Sequence, residues 1–337
     1  MAANWLDAGP NDCVAAVAEQ ALRDRFRAVR RYLPLAATAA DKNSAPVHQL
    51  RVASRRAAAA LEIFESLLPS RRVRKIKKEL RRIRRSLGDA RDLDVLAERL
   101  ETLAQQGEDG AVTSVLRRIS KLRQRAQKPA RQVYRRSRRI QLKRQMNRIA
   151  RRAKHPQELH FGPFARQGMR RVVDDFFQAA AADLSDIENL HELRIVGKQL
   201  RYAMEIYAGA FGTAIRDDLY PVFAQVQDKL GAINDHATAL RLFGQWQRAV
   251  DSKRAARRMR QLLEAEERFL QASSEAFRQW WTTERAVSLK ARFDELLPEL
   301  DDESSLEEAA FGPQVAVAAT PVIAPLASSQ LDSAESR

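Results

Sequence analysis

Residues 47–64, VHQLRVASRRAAAALEIF, return in altered form at residues 190–207, LHELRIVGKQLRYAMEIY. His48 and His191 are 143 residues apart, and the same offset relates Arg51 to Arg194, Arg55 to Lys198, Leu87-Gly88 to Leu230-Gly231, and Asp92 to Asp235. A shared offset held over about 45 residues marks a duplicated unit. The chain is therefore expected to hold two copies of one helical unit, packed with approximate two-fold symmetry.

Each recurring segment reads as an amphipathic helix. At about 100° per residue, positions 48, 51, 55 and 58 share one stripe, while Leu50, Ala57, Leu61, Phe64 and Leu68 share the opposite one. In the second copy His191, Arg194, Lys198 and Arg201 make the polar stripe; Leu193, Leu200, Met204, Tyr207 and Phe211 make the apolar one. Cations on such a stripe stand about one turn apart, roughly 5–6 Å. That spacing suits a line of phosphates. Arginine offers a planar fork, lysine a compact charge, and histidine gains a charge when protonated. A solvated charged face is the bland reading of either stripe alone. Duplication that keeps His and cations in place favours a ligand.

Helices are expected at about 11–33, 46–68, 71–87, 92–106 and 111–153, the last broken near Pro129, then at about 162–183, 187–209, 214–230, 235–249, 252–283 and 285–297. No strand alternation appears. Ser185 and Glu188 read as a capping box. Gly88 and Gly231 read as left-handed helix stops, with Asp92 and Asp235 capping the helices that follow. The alternative is that Arg91 turns into a basic cavity while Asp92 orients neighbouring cations.

Charge is unevenly distributed. Residues 1–155 hold 38 Lys+Arg against 15 Asp+Glu; the other 182 residues hold 21 against 28, and no acidic residue falls between Ala111 and Gln157. Such a field calls for a polyanionic partner. The helix at 71–87 is dense in cations, of which Arg81, Arg84 and Arg85 lie nearest the Leu-Gly turn; its second-copy equivalent offers only Arg216 and Lys229. The first copy should then hold an anion more strongly. One cysteine, Cys13, excludes an internal disulfide framework. The first residues carry no secretory signal, and no apolar run reaches the roughly 18 residues of a membrane span, so a soluble cytoplasmic protein is expected. From about Pro298 the chain turns acidic and then Ala/Pro/Ser-rich, which reads as a disordered tail.

VHQLRVASRR paired with LGDARDLDV, and LHELRIVGKQLRY paired with LGAINDHAT, resemble the CHAD family, the conserved histidine α-helical domains. The likeness spans roughly residues 10–285, with a first repeat at 10–155 and a second at 160–285, leaving 286–337 as terminal helix and tail. It implies an all-α fold of two pseudo-symmetric four-helix bundles around a basic central cavity. It also implies binding of inorganic polyphosphate and association with polyphosphate or polyhydroxyalkanoate granules. Carried over by position, the family's basic residues fall on His48, Arg51, Arg55 and Arg56, and on His191, Arg194, Lys198 and Arg201. Ala58 stands where a cation is expected, and Gln199 stands opposite Arg56, so the two walls should contribute unequally.

Rival functions fit less well. His155 and His160 are poorly spaced for a helix-face pair, and His48 and His191 come with arginine rather than carboxylate neighbours, cations that oppose a metal ion. The triphosphatase domains that often accompany CHAD domains carry Glu-x-Glu-x-Lys on a strand; the nearest match, EAEER with Glu264, Glu266 and Arg268, falls in a helix and reads as surface charge. No catalytic residue, cofactor or metal is expected. Sequence-independent nucleic-acid binding through the basic 111–157 segment is the serious alternative, although aromatics, 7% of the chain, hardly interleave with it.

Overall fold

The computed structural model describes residues 3–38, 44–105, 110–153, 159–247 and 253–298. The expected tail and His155 lie outside them. The helices are α1 (Val14–Thr38), α2 (Ala45–Ile63), α3 (Ser70–Ser86), α4 (Gly88–Gln105), α5 (Gly110–Ala126), α6 (Lys128–Arg139), α7 (Leu142–Ala150), α8 (Phe161–Ala180), α9 (Ile187–Tyr207), α10 (Tyr220–Gln247), α11 (Lys253–Trp280) and α12 (Thr283–Leu296). The fold is all-α. Among the described residues extended pairing is limited to an isolated bridge between Cys13 and His160. No helix among them is long and apolar enough to cross a membrane.

Periodicity places the helices well, and their joints less well. On α3 the buried side chains include Val73, Ile76, Leu80 and Ile83, the threes and fours of an amphipathic helix. Pro129 sits in the first turn of α6, where its missing N–H costs no helical bond. A further break at Gln141, in the left-handed region at φ 51°, separates α6 from α7. Gly88 and Gly231 do not stop helices. Among the described residues positive φ occurs only at Gln141 and Gly212. Gly88 opens α4 and Gly231 lies inside α10, so Asp92 and Asp235 are helix-interior residues rather than caps. The bond from Arg91 N to Leu87 O, 3.1 Å, carries the first of these junctions without any need for a left-handed residue. The cap of α9 is Asp186, whose carboxylate accepts from Glu188 N at 2.9 Å; Ser185 N donates instead to Asp183.

One large apolar cluster joins α1, α2, α3, α6, α7, α8, α9, α12, the first half of α10 and the end of α11. A smaller one joins α4, α5, the second half of α10 and the start of α11 through Leu96, Leu100, Ile119, Phe243 and Met259. The core is thus divided by layer rather than by copy. Glu266, read as surface charge, is 2% exposed beside this second cluster. It accepts from Arg99 Nε at 3.1 Å and pairs with His236 Nδ1 at 2.7 Å, because α11 turns this face onto α4 and α10. The terminal helix α12 buries Leu289 and Phe293 and packs on α8, as α7 packs on α1. At the 143-residue offset α12 is the equivalent of α7.

A buried carboxylate ties these layers together. Glu205 on α9 is fully buried. It pairs with Arg56 of α2, lies 3.7 Å from Arg25 of α1, and accepts from the Tyr220 hydroxyl of α10 at 3.2 Å. Arg201 donates to the same hydroxyl at 2.7 Å. Removing one member of a buried ionic set leaves the rest uncompensated, which costs about 3–5 kcal/mol. Glu205→Ala is therefore expected to lower unfolding stability by about that much, read from urea melts, with Glu205→Gln losing less.

Candidate anion-binding site

Helices α2 and α9 pack against each other. Their apolar stripes are buried as the periodicity requires, through Leu50, Ala57 and Leu61 on one and Leu193, Leu200 and Met204 on the other. The polar stripes are held between core and solvent: His48, Arg51, Arg55, His191, Arg194 and Lys198 are all half-buried. Cations of the two helices meet there. The charge of Arg55 acts on Arg51 and Arg84 of its own half and on Arg194 and Lys198 of the other.

Burial, followed by the charge of Arg55, pushes Arg51, Arg84 and Arg194 each down to about 10. Burial, then Arg55 and Arg194, lowers Lys198 well below an ordinary lysine. The guanidinium groups stay charged at neutral pH, at a cost to the free protein. Backbone carbonyls orient them without neutralising them. Arg51 Nη1 donates to Arg84 O at 3.1 Å, and Arg84 Nη1 to Ser54 O at 3.2 Å. The buried Nε of Arg194 has no hydrogen-bond partner among the described residues. Asp92 and Asp235 offset only part of this charge: Asp92 favours Arg51, and Asp235 favours Arg194 and Lys198. Burial raises the Asp92 carboxyl, against the pull of Arg51 and then Arg241.

Both histidines sit in this field. Burial and then Arg91 lower His48; burial and then Arg194 lower His191, whose hydrogen bond to Asn234 works in the opposite direction. Asn234 holds the position equivalent to Arg91 at the 143-residue offset.

The structure thus brings together His48, Arg51, Arg55, Arg84, Arg91, His191, Arg194 and Lys198. It places the other sequence candidates differently. Arg56 and Arg201 serve the Glu205–Tyr220 set. Lys229 stands over the Trp280 ring, Nζ 5.1 Å from its centroid. Arg81 and Arg85 are exposed, although the Arg81 charge reaches Arg84. One participant escaped the sequence reading. Arg241 Nη2 lies 3.4 Å from Asp92 Oδ2. Its equivalent at the 143-residue offset is Glu98, so the recurring pattern gave no signal for it. Among the described residues no three His, Cys, Asp or Glu side chains are grouped to hold a metal ion.

The profile of the CHAD domain matches residues 20–244. Two solved structures share the fold. The CHAD domain from the plant Ricinus communis has a TM-score of 0.61 at 21% identity, covering 87% of this chain and 96% of its own. PptA from Streptomyces chartreusis has a TM-score of 0.62 at 20% identity, covering 80% of this chain and 99% of its own. No curated protein matches the chain.

Relieving like-charge repulsion should stabilise the ligand-free protein. Lys198→Met is expected to raise unfolding stability by about 0.5–2 kcal/mol, measured by thermal and urea melts in phosphate-free buffer. An unchanged or lowered stability would contradict the charge frustration described here.

Proposed function

Because the chain belongs to the CHAD domain family, we propose that it binds inorganic polyphosphate, without catalysing a reaction, through the cations gathered between α2 and α9. The observation that carries this reading is the position of Arg55, whose charge acts on the cations of both helices at once. A polyanion entering there exchanges repulsion between buried cations for charge-assisted hydrogen bonds. A repeating phosphate chain meets every requirement of the site: no base, sugar or apolar group needs to be read. Neutralising successive phosphates releases counterions, so affinity falls steeply with salt. Such binding would carry the protein to polyphosphate granules, or to polyhydroxyalkanoate granules.

Replacing Arg51, Arg55, Arg194 and Lys198 together by Gln is expected to weaken polyphosphate binding more than tenfold in a graded-salt pull-down. An equal loss from neutralising Arg131, Arg135, Arg138 and Arg139 of α6 would move the site elsewhere. The exposed arginines of α6, among them Arg135, Arg138 and Arg139, favour the second reading, a nucleic-acid backbone. Labelled polyphosphate held against a charge-matched excess of duplex DNA supports the first reading; ready displacement supports the second. Phosphate release by purified protein with divalent metal would overturn the non-catalytic part.

The histidines give binding a pH dependence. In the free protein both lie below an ordinary imidazole and are neutral at pH 7. Their depressed values add stability that is full above the unfolded value, about 6.5, and is lost as the pH falls from there through the lower folded values. A bound polyphosphate raises them, so protonation accompanies binding. Affinity is expected to rise between about pH 7.5 and 5.5, while the melting temperature of the free protein falls. His48→Gln with His191→Gln should flatten the affinity profile measured by titration at fixed ionic strength.

A further inference from the structure

A second basic site lies apart from the α2–α9 cluster. A cavity of about 350 Å³ opens between the first turn of α3 and the start of α7. Arg72 and Lys75 line it from α3, Arg144 and Arg148 from α7, and Gln141 from the joint ahead of α7; no carboxylate lines it. Arg72 is half-buried, and its Nη1 is sealed from solvent with no hydrogen-bond partner among the described residues. Burial, then Arg152 and Arg148, lowers Arg72, so a fifth cation stands close by.

A backbone bend borders this site. Gln141 is the one non-glycine residue at positive φ among those described. A side chain in the left-handed region costs about 1–2 kcal/mol, and such residues cluster at functional sites. Here the bend ends α6 and starts α7. Gln141 Oε1 accepts from Arg144 Nη1 at 3.1 Å, and Arg148 follows one turn later on the same face.

The second copy shows that the packing does not require these cations. At the 143-residue offset Arg72, Lys75, Gln141, Arg144 and Arg148 become Ile215, Asp218, Glu284, Val287 and Ala291. Yet α12 packs on α8 as α7 packs on α1. The outer helix of the second half packs with no positive charge at any of the five positions. The cations of the first half are thus an addition to the fold. They stand in a hollow with room for a small ligand.

We propose that this cavity binds a compact oligophosphate of two or three phosphoryl groups, with Arg72, Arg144 and Arg148 as forked donors and Lys75 as a point charge. The first turns of α3 and α7 border the cavity and favour the same sign of ligand. The occupant is either a free oligophosphate or the trailing end of a long polyphosphate; both present the same chemistry.

The test is calorimetric titration of the full chain with inorganic triphosphate at low salt. Wild type is expected to bind two equivalents, and Arg51→Gln with Arg194→Gln to keep one. Adding Arg72→Gln and Arg148→Gln to that background should remove the remaining one, with at least a tenfold loss of affinity. Arg72→Gln with Arg148→Gln alone should also leave one. The proposal falls if that pair leaves stoichiometry and affinity as in wild type, or if the exposed pair Arg135→Gln and Arg139→Gln causes the same loss. Its failure leaves the α2–α9 equivalent intact, so the two sites are judged separately. Repeating the titration with long polyphosphate identifies the source. A loss of more than threefold on removing the pair means that one chain spans both sites, and an unchanged affinity means that a free oligophosphate is the occupant.

Discussion

The arrangement depends on a negative charge buried among positive ones. Glu205 receives Arg56 from α2, lies near Arg25 from α1 and accepts from Tyr220 of α10, so one side chain of α9 touches three other helices. A buried ion pair is a weak source of stability, because desolvation cancels much of the attraction. Its effect here is on register. With Arg56 drawn to Glu205, the neighbouring stripe of α2 is aimed at the matching stripe of α9. The repeat equivalent, Glu62, is half-buried and faces Lys77 at 3.9 Å. The anchor therefore exists once, and the symmetry suggested by the duplication is broken where the two halves join.

The cations beyond that anchor lack matching carboxylates. Arg51, Arg194 and Lys198 are held in partial burial beside one another, with Asp92 and Asp235 as partial offsets. Such a site is preorganised for an anion, and the free protein bears the cost in stability. The two walls differ in strength. Arg84 has Gln227 as its equivalent, and Arg91 has Asn234. Gln227 is buried over Gly197 and its amide has no partner among the described residues. An anion entering this region meets more positive charge from the first half than from the second.

The same imbalance runs through the outer faces. α7 and α12 occupy equivalent places; α7 faces a hollow lined by Arg72, Lys75, Arg144 and Arg148, whose equivalents in the second half carry no positive charge. At positions 143 residues apart, positive charge is concentrated in the first half. The smaller apolar cluster draws on helices of both halves, so divergence at the surface left the shared core intact.

The sequence by itself determined the helices and the stripe of residues each turns outward, because hydrophobic period and cation spacing are local properties of one strand of chain. It also placed His48, Arg51, Arg55, His191, Arg194 and Lys198 together, since a conserved offset reports shared surroundings. Only the tertiary structure decided which charges are left over. Arg56 and Arg201 have the same side chain as Arg51, and what separates them is Glu205 and Tyr220, brought close by packing. Glu266 looked like surface charge until α11 folded it onto His236 and Arg99. Helix joints were likewise hidden. Continuation through Gly231 and the turn at Gln141 depend on what the flanking helices must reach, and no local propensity encodes that distance.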